Sequence, residues 1–300
     1  MQIGYIGLGK MGENMVKRLL EKGHEVVAYD TNEEAVHEAA SAGAHGVGSL
    51  TELVHACESP RLIWIMVPHA FVDDVLEELI PLLDAGDRVI DGGNSHFQKT
   101  LQRNDKFAKE DITYMDVGVS GGPDGARDGA CMMIGGPHDL FEELEALFDD
   151  VTVDGGYGYM GKTGAGHFVK MVHNGIEYGM MQAIAEGFTV MKESDEFDLD
   201  LSEIARVFNH ESVIASNLVG WTQDAFDEFG QDLEQISGEV SQSGEGKWTT
   251  EAATDMGVET PVIKQAFDYR LETHGSPTYT GKIVSALRNR FGGHDVFKET

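Results

Sequence analysis

Four polar residues at helical spacing stand out in an otherwise apolar stretch: Lys170, His173, Asn174 and Glu177, within GAGHFVKMVHNGIEYGMM (164–181). At about 100° per residue they fall on one narrow stripe of a helix. Their neighbours are Phe168, Val169, Met171, Val172, Ile176, Gly179 and Met180, so the helix is expected to be buried on most sides. Burying a lysine and a glutamate costs free energy unless they pair or line a polar site. A structural ion pair is one reading. The other is a substrate site in which Lys170 is a tunable base, Glu177 a carboxylic acid, and His173 and Asn174 hydrogen-bonding groups. Desolvation lowers a lysine pKa and raises a glutamate pKa, toward values useful near neutrality.

A second constellation lies at the start of the chain. Gly7-Leu8-Gly9-Lys10-Met11-Gly12 fits G-x-G-x-x-G between an expected strand and an expected helix. Gly7 would permit a tight turn, Gly9 the approach of a pyrophosphate to the backbone, and Gly12 close helix packing, with Leu8 and Met11 in the same loop. The helix N-terminus offers N–H groups to the phosphate charge. Asp30 closes the next strand at the roughly twenty-residue distance where an acid accepts from the ribose hydroxyls. It would repel a 2′-phosphate, which favours NAD over NADP, although Thr31 and Asn32 could accept a phosphate if Asp30 turned away. A ligand-free glycine turn is the bland reading.

Three further loops follow expected strand ends, where an open α/β sheet binds its ligands. Val67, Pro68 and His69 should border the cofactor, although His69 also reads as an ordinary loop histidine. Asn94, in DGGNSHF (91–97), and Ser120, in VSGGP (119–123), are candidates to hydrogen-bond a hydroxyl or carboxylate, in loops whose glycines admit close backbone approach. Asn94 is placed on the cofactor side as well. Tight turns with capping side chains would look the same. No H-E-x-x-H, Cys/His metal spacing or G-x-S-x-G elbow occurs, and no metal is expected.

The elements that must carry these residues alternate. Strands are expected at 2–6, 25–29, 61–66, 88–90, 112–119, 132–134 and 151–153, with helices at 11–22 and 33–41. This βαβα order argues for a parallel, doubly wound sheet of the Rossmann type. Past a glycine-rich junction (Gly155, Gly156, Gly158, Gly161) strand patterns give way to helical ones at 163–192, 204–208, 217–229 and 262–272. Two domains are expected: 1–162, binding a dinucleotide, and an all-helical 163–300, binding substrate and forming the oligomer.

Composition excludes several classes. The chain has 300 residues and a formal net charge of −30, from 22 Lys plus Arg against 52 Asp plus Glu. Such a polyanion repels nucleic acid and anionic membrane. No apolar run approaches the ~18 residues of a membrane span. MQIGYIGLGK lacks the features of a secretory signal, and two cysteines make no disulfide framework, so a cytoplasmic location is expected. The acids are dispersed and 41% of residues are apolar, which argues against disorder. A surface of this kind suits a salt-adapted organism, because in roughly molar salt a Debye length of about 3 Å screens the self-repulsion. A merely acidic mesophile is the other reading.

Taken together, GLGKMGENM (7–15), DGGNSHF (91–97), VSGGPDGARDGACMMIGG (119–136), GAGHFVKMVHNGIEYGMMQ (164–182), GEGKWT (244–249) and RNRFGGH (288–294) resemble the 6-phosphogluconate dehydrogenase family. The wider β-hydroxyacid dehydrogenase superfamily shares the glycines and the Lys-x-x-x-Asn pair, but usually not the continuation through Glu177 or the tail. The resemblance implies oxidative decarboxylation of 6-phospho-D-gluconate, a phosphosugar acid, to D-ribulose 5-phosphate and CO₂, in the pentose phosphate pathway. It implies Lys170 as general base and Glu177 as general acid, with Asn94, Ser120, Gly121, Gly122, His173, Asn174 and Tyr178 on the substrate. It also implies a homo-oligomer whose tail, carrying Arg288 and His294, reaches the neighbouring subunit's site. The chain resembles the short form of the family. A phosphate-binding lysine of the long form is Ser243 here, so phosphate recognition must lean on other groups, with Lys247 and Arg270 as further candidates. A basic helix end answering the macrodipole is the bland reading of the tail. Two other functions remain open: a dehydrogenase for a small unphosphorylated 3-hydroxy acid, and a catalytically silent dinucleotide sensor.

Overall fold

The computed structural model describes residues 1–242 and 244–297; Ser243, which bears on phosphate recognition, lies outside the described residues. Residues 1–171 form one compact unit and residues 172–300 a second. The first opens with β1 (Gln2–Ile6), α1 (Lys10–Glu21), β2 (Glu25–Tyr29), α2 (Glu33–Ser41), β3 (His45–Gly46) and α3 (Leu50–Ala56). It continues with β4 (Leu62–Ile65), α4 (His69–Leu79), β5 (Arg88–Asp91), α5 (Phe97–Ala108), β6 (Thr113–Ser120) and α6 (Gly122–Asp128). It ends with β7 (Ala130–Gly135), α7 (His138–Glu143), α8 (Glu145–Val151), β8 (Thr152–Gly161) and the first turns of α9 (Ala165–Lys192).

The eight strands make one sheet in the order β3-β2-β1-β4-β5-β6-β7-β8. Period-2 alternation of side chains gives it two buried faces. Ile3, Tyr5, Leu62 and Trp64 enter one apolar cluster with Met15, Leu19 and Phe148. Ile6, Ile63 and Ile65 enter the other with Leu53, Leu76 and Phe107. A Rossmann-type doubly wound α/β architecture therefore stands as the sequence pattern implies. Two details differ. β7 runs antiparallel to β6. The expected glycine-rich junction is strand β8, paired parallel to β7 across two register shifts. Tyr157 and Tyr159 alternate between its glycines and pack on the first cluster, while the glycines admit the irregular close pairing.

The strand texture ends near 162, but compactness divides further on, inside α9. The start of that helix is seated on the sheet. A Cβ at Gly166 would lie 2.5 Å from the Met133 carbonyl oxygen and 2.7 Å from that of Asp116.

Among the described residues the second unit has no strand longer than an isolated bridge. It holds the rest of α9, then α10 (Leu201–Phe208), α11 (Asn217–Phe229), α12 (Glu245–Asp255), α13 (Pro261–Glu272) and α14 (Tyr279–Gly292). Its core contains Phe188, Phe226, Ile283, Leu287 and Val296. α12 and α14 fall where the sequence reading names no helix. α14 is nonetheless signalled by Thr278, whose hydroxyl caps it by accepting from the Gly281 N–H. No helix among the described residues is long and apolar enough to cross a membrane.

Candidate active site

In the first unit the strand ends of β1, β4 and β5 lie side by side and carry the expected cofactor loops. Gly7 has φ +100°, a conformation that favours glycine. A Cβ there would meet the Met66 carbonyl oxygen at 2.4 Å and Val67 Cγ1 at 2.8 Å. A Cβ at Gly12 would fall 1.9 Å from the Gly7 carbonyl oxygen, so glycine is required for α1 to sit on its own loop. Gly9, the N-cap of α1, is the opposite case: nothing lies within 4 Å of its Cβ direction. This open cradle at a helix N-terminus fits a pyrophosphate. Leu8 is buried and Met11 packs on the first core cluster, so those two offer a ligand their backbone, not their side chains.

Asp30 turns toward this loop. Its Oδ2 accepts from the Leu8 N–H at 2.6 Å and its Oδ1 from the Asn32 N–H at 2.8 Å. Asn32 is occupied as the N-cap of α2, accepting from the Glu34 N–H. A carboxylate keeps further lone pairs after two bonds, so Asp30 can still accept from ribose hydroxyls. Pro68 is the N-cap of α4, and the exposed His69 is that helix's first residue.

Asn94 sits exposed in the loop after β5, and the loop is held from beneath by a network the sequence reading does not find. Asp91, fully buried, accepts from the Gly93 N–H at 3.0 Å, the Ser95 hydroxyl at 3.0 Å and the Tyr114 hydroxyl at 2.8 Å. The Arg103 guanidinium donates to Asp91, to the Ser95 hydroxyl and to Asp73. Its hydrogen bond holds the Asp73 carboxyl below its ordinary pKa. Ser120 closes β6, and Gly121 and Gly122 follow at φ +125° and +62°, both in the range that favours glycine.

Lys170 is only 8% exposed. Its stem lies against β6 so closely that a Cβ at Gly118 would fall 2.3 Å from Lys170 Cβ. The α9 N-terminus is fixed by Asp116, whose oxygens accept from the Gly164 N–H at 2.6 Å and the His167 N–H at 2.7 Å. A remote carboxylate thus supplies the missing cap and meets the positive end of the helix dipole. Neither Gly118 nor Asp116 is singled out by spacing. A glycine inside a strand pattern is the signal that marks such a close approach.

In the second unit, His173 Nδ1 lies 3.0 Å from Asn174 Oδ1 and 4.0 Å from Glu177 Oε2. Beyond them is a buried basic cluster. Arg270 (2% exposed) stacks its guanidinium 3.4 Å from the centroid of the Tyr178 ring, and Arg288 is 5% exposed. Among the described residues neither arginine has a carboxylate within ion-pair distance. Arg270 donates to the Met181 thioether, a weak acceptor. Burial lowers the pKa of Arg270 to about 10, with Arg288 adding to the effect while Tyr178, Glu177 and Glu245 oppose it. Burial likewise lowers Arg288. Two desolvated guanidinium groups of this kind suit an oxyanion.

The other two candidates lie differently. Lys247 is exposed, its ammonium 3.6 Å from Glu251. His294 follows the αL cap Gly293 and sets its ring edge-on to Phe291. Val296 is buried in the second unit's own core, and its carbonyl accepts from the Ser237 N–H at 2.8 Å. Arg288, on the buried face of α14, joins Arg270 within one chain, because apolar contacts at Val284, Leu287 and Val296 hold the tail on its own unit.

Comparison with known proteins agrees along the whole chain. Residues 2–161 match the NAD binding domain of 6-phosphogluconate dehydrogenase, and residues 166–278 match the C-terminal domain of 6-phosphogluconate dehydrogenase. A protein of Bacillus subtilis (strain 168), provisionally named a 6-phosphogluconate dehydrogenase, is 49% identical over 299 residues, 100% of both chains. The NAD(+)-dependent, decarboxylating 6-phosphogluconate dehydrogenase of Haloferax volcanii is 42% identical over 301 residues, 100% of this chain and 99% of that one. The Plasmodium falciparum 6-phosphogluconate dehydrogenase structure superimposes with a TM-score of 0.81 at 30% identity, covering 91% of this chain and 62% of that one.

Proposed function

We propose that this chain, which belongs to the 6-phosphogluconate dehydrogenase family, oxidises and decarboxylates 6-phospho-D-gluconate to D-ribulose 5-phosphate and CO₂, with NAD as the preferred acceptor. The observation that carries the substrate class is the buried pair Arg270 and Arg288, two guanidinium groups without an ion-pair partner among the described residues. A phosphate monoester, with about −1.5 to −2 charge at pH 7 and three acceptor oxygens, matches them in charge and geometry. The dinucleotide would be held by the backbone of residues 7–12, by Asp30, and by the loops at Val67, Pro68 and Asn94; when bound it accepts a hydride.

The residues on α9 divide the proton transfers. Lys170 takes the proton of the C3 hydroxyl as that carbon is oxidised. As an ammonium it then polarises the new carbonyl oxygen. The 3-keto group lies β to the carboxylate, so it receives the electron pair released as CO₂ departs. Glu177 returns a proton to C1 of the resulting enediol. Ser120, Gly121, Gly122, His173, Asn174 and Tyr178 orient the substrate. The NAD preference is supported by Asp30, whose carboxylate would repel a 2′-phosphate at the end of β2.

Initial rates of NAD and NADP reduction with 6-phosphogluconate, in multimolar KCl, test this reading. Faster NAD reduction, abolished by Lys170→Met, is expected. Faster NADP reduction would overturn the reading of Asp30. No turnover with either, in folded protein, would overturn the substrate.

A further inference from the structure

The first turn of α12 brings a carboxylate to the arginine pair. Glu245 is 4% exposed and is the first residue of that helix. The next residue, Gly246, lies so close on Tyr178 that a Cβ there would fall 2.5 Å from the ring carbons Cδ2 and Cε2. The same ring carries the Arg270 guanidinium. α12 is locked to α9 at a second point, where Gly175 leaves room for Thr249, whose side-chain atoms would lie 2.6–2.9 Å from an added Cβ. Glu245 is therefore positioned by a rigid helix end. Both buried arginines register it, with Glu177, as a nearby negative charge. Its place on the first turn also suits the positive end of the helix dipole.

Two guanidinium groups with two carboxylates beside them form a cluster with no net formal charge. Such a cluster attracts a simple anion weakly, because each charge it offers is already answered nearby. What it still offers is the fixed donor geometry of guanidinium, which an oxyanion with several acceptor atoms can use and a halide cannot. Resting on the phosphate reading of Arg270 and Arg288, we propose that Glu245 is the charge-balancing residue of this pocket, and that it makes the pocket reject chloride while admitting a phosphate monoester. For a chain of formal charge −30, whose self-repulsion is screened in high salt, chloride would then be the principal competitor for any uncompensated arginine pair.

The test holds total salt at 2 M and replaces potassium glutamate stepwise with KCl. For the unaltered enzyme, KM for 6-phosphogluconate is expected to change less than twofold. For Glu245→Gln it is expected to rise at least fivefold in KCl, with kcat changing far less. Glu245→Asp should return the chloride resistance. Competitive chloride inhibition of the unaltered enzyme would overturn the proposal, as would a Glu245→Gln enzyme as resistant as its parent. Should 6-phosphogluconate not be turned over, the same contrast is read from the rise in Tm given by inorganic phosphate in the two salts. This separates a failure of the pocket reading from a failure of the substrate assignment.

Discussion

Arg270, proposed above to hold the phosphate, carries a charge whose burial opposes stability. Its guanidinium is buried without a carboxylate in ion-pair distance among the described residues. Its folded-state pKa of about 10 lies below the ordinary guanidinium value. Burying the charge therefore costs stability at every pH below 10, and the cost shrinks only as pH climbs from about 10 toward that ordinary value. Arg270→Met keeps most of the volume over Tyr178 and removes the charge. The ligand-free Tm is expected to change little, because the desolvation cost that is removed is offset by the positive charge then missing beside Glu177 and Glu245, while the increase in Tm given by inorganic phosphate disappears. A lower Tm with phosphate protection intact would make Arg270 a packing residue. The sequence marks Arg270 only loosely, since one arginine near the end of a helical pattern has many uses. Its role depends on Tyr178 and Arg288, which lie far from it in sequence.

At the scale of the element, α9 joins local pattern to tertiary constraint. The stripe from Lys170 to Glu177 is readable because helical periodicity is a property of neighbours in sequence. The seat of the helix is not, since it depends on β6 and β7. Asp116 caps its N-terminus, and Gly118 and Gly166 let its backbone and the Lys170 stem approach the strands. Gly118→Ala would push a methyl against the Lys170 stem. Overpacking of this kind costs about 1–3 kcal/mol. A tenfold or larger fall in kcat is expected, with KM for NAD unchanged because the cofactor loops lie elsewhere. Thermal unfolding and steady-state rates check both parts, and an unchanged kcat would separate Lys170 from the rate-limiting chemistry. β8 is the converse case. Its glycines read locally as a junction, yet Tyr157 and Tyr159 find an apolar cluster only by continuing the sheet.

For the whole molecule, charge dominates. At −30 over 300 residues, self-repulsion in dilute buffer opposes the compact state. Some acids are answered locally, as Glu21 is by Arg127 and Glu203 by Arg206, whose hydrogen bonds lower the carboxyl pKa values. The basic residues are too few to answer the rest. Circular dichroism and activity are expected to show partial unfolding below about 0.1 M salt and recovery in molar KCl, where the Debye length falls to about 3 Å. Full stability and activity in dilute buffer would count against salt adaptation. The charge itself is read directly from the composition, because net charge needs no coordinates.

The sequence by itself determined what rests on local order: the βαβα alternation, the glycine loop and the acid after β2, the polar stripe on α9, and the charge. These are readable because strand and helix periods and turn chemistry act between near neighbours. The tertiary structure alone decided how distant residues meet. It set β7 antiparallel, gathered Asp91, Arg103 and Tyr114 beneath Asn94, folded the tail onto its own unit, and brought Glu245 to Arg270 and Arg288. The physical reason is that a buried charge or a close backbone approach is defined by partners tens to more than a hundred residues away, and only packing chooses those partners.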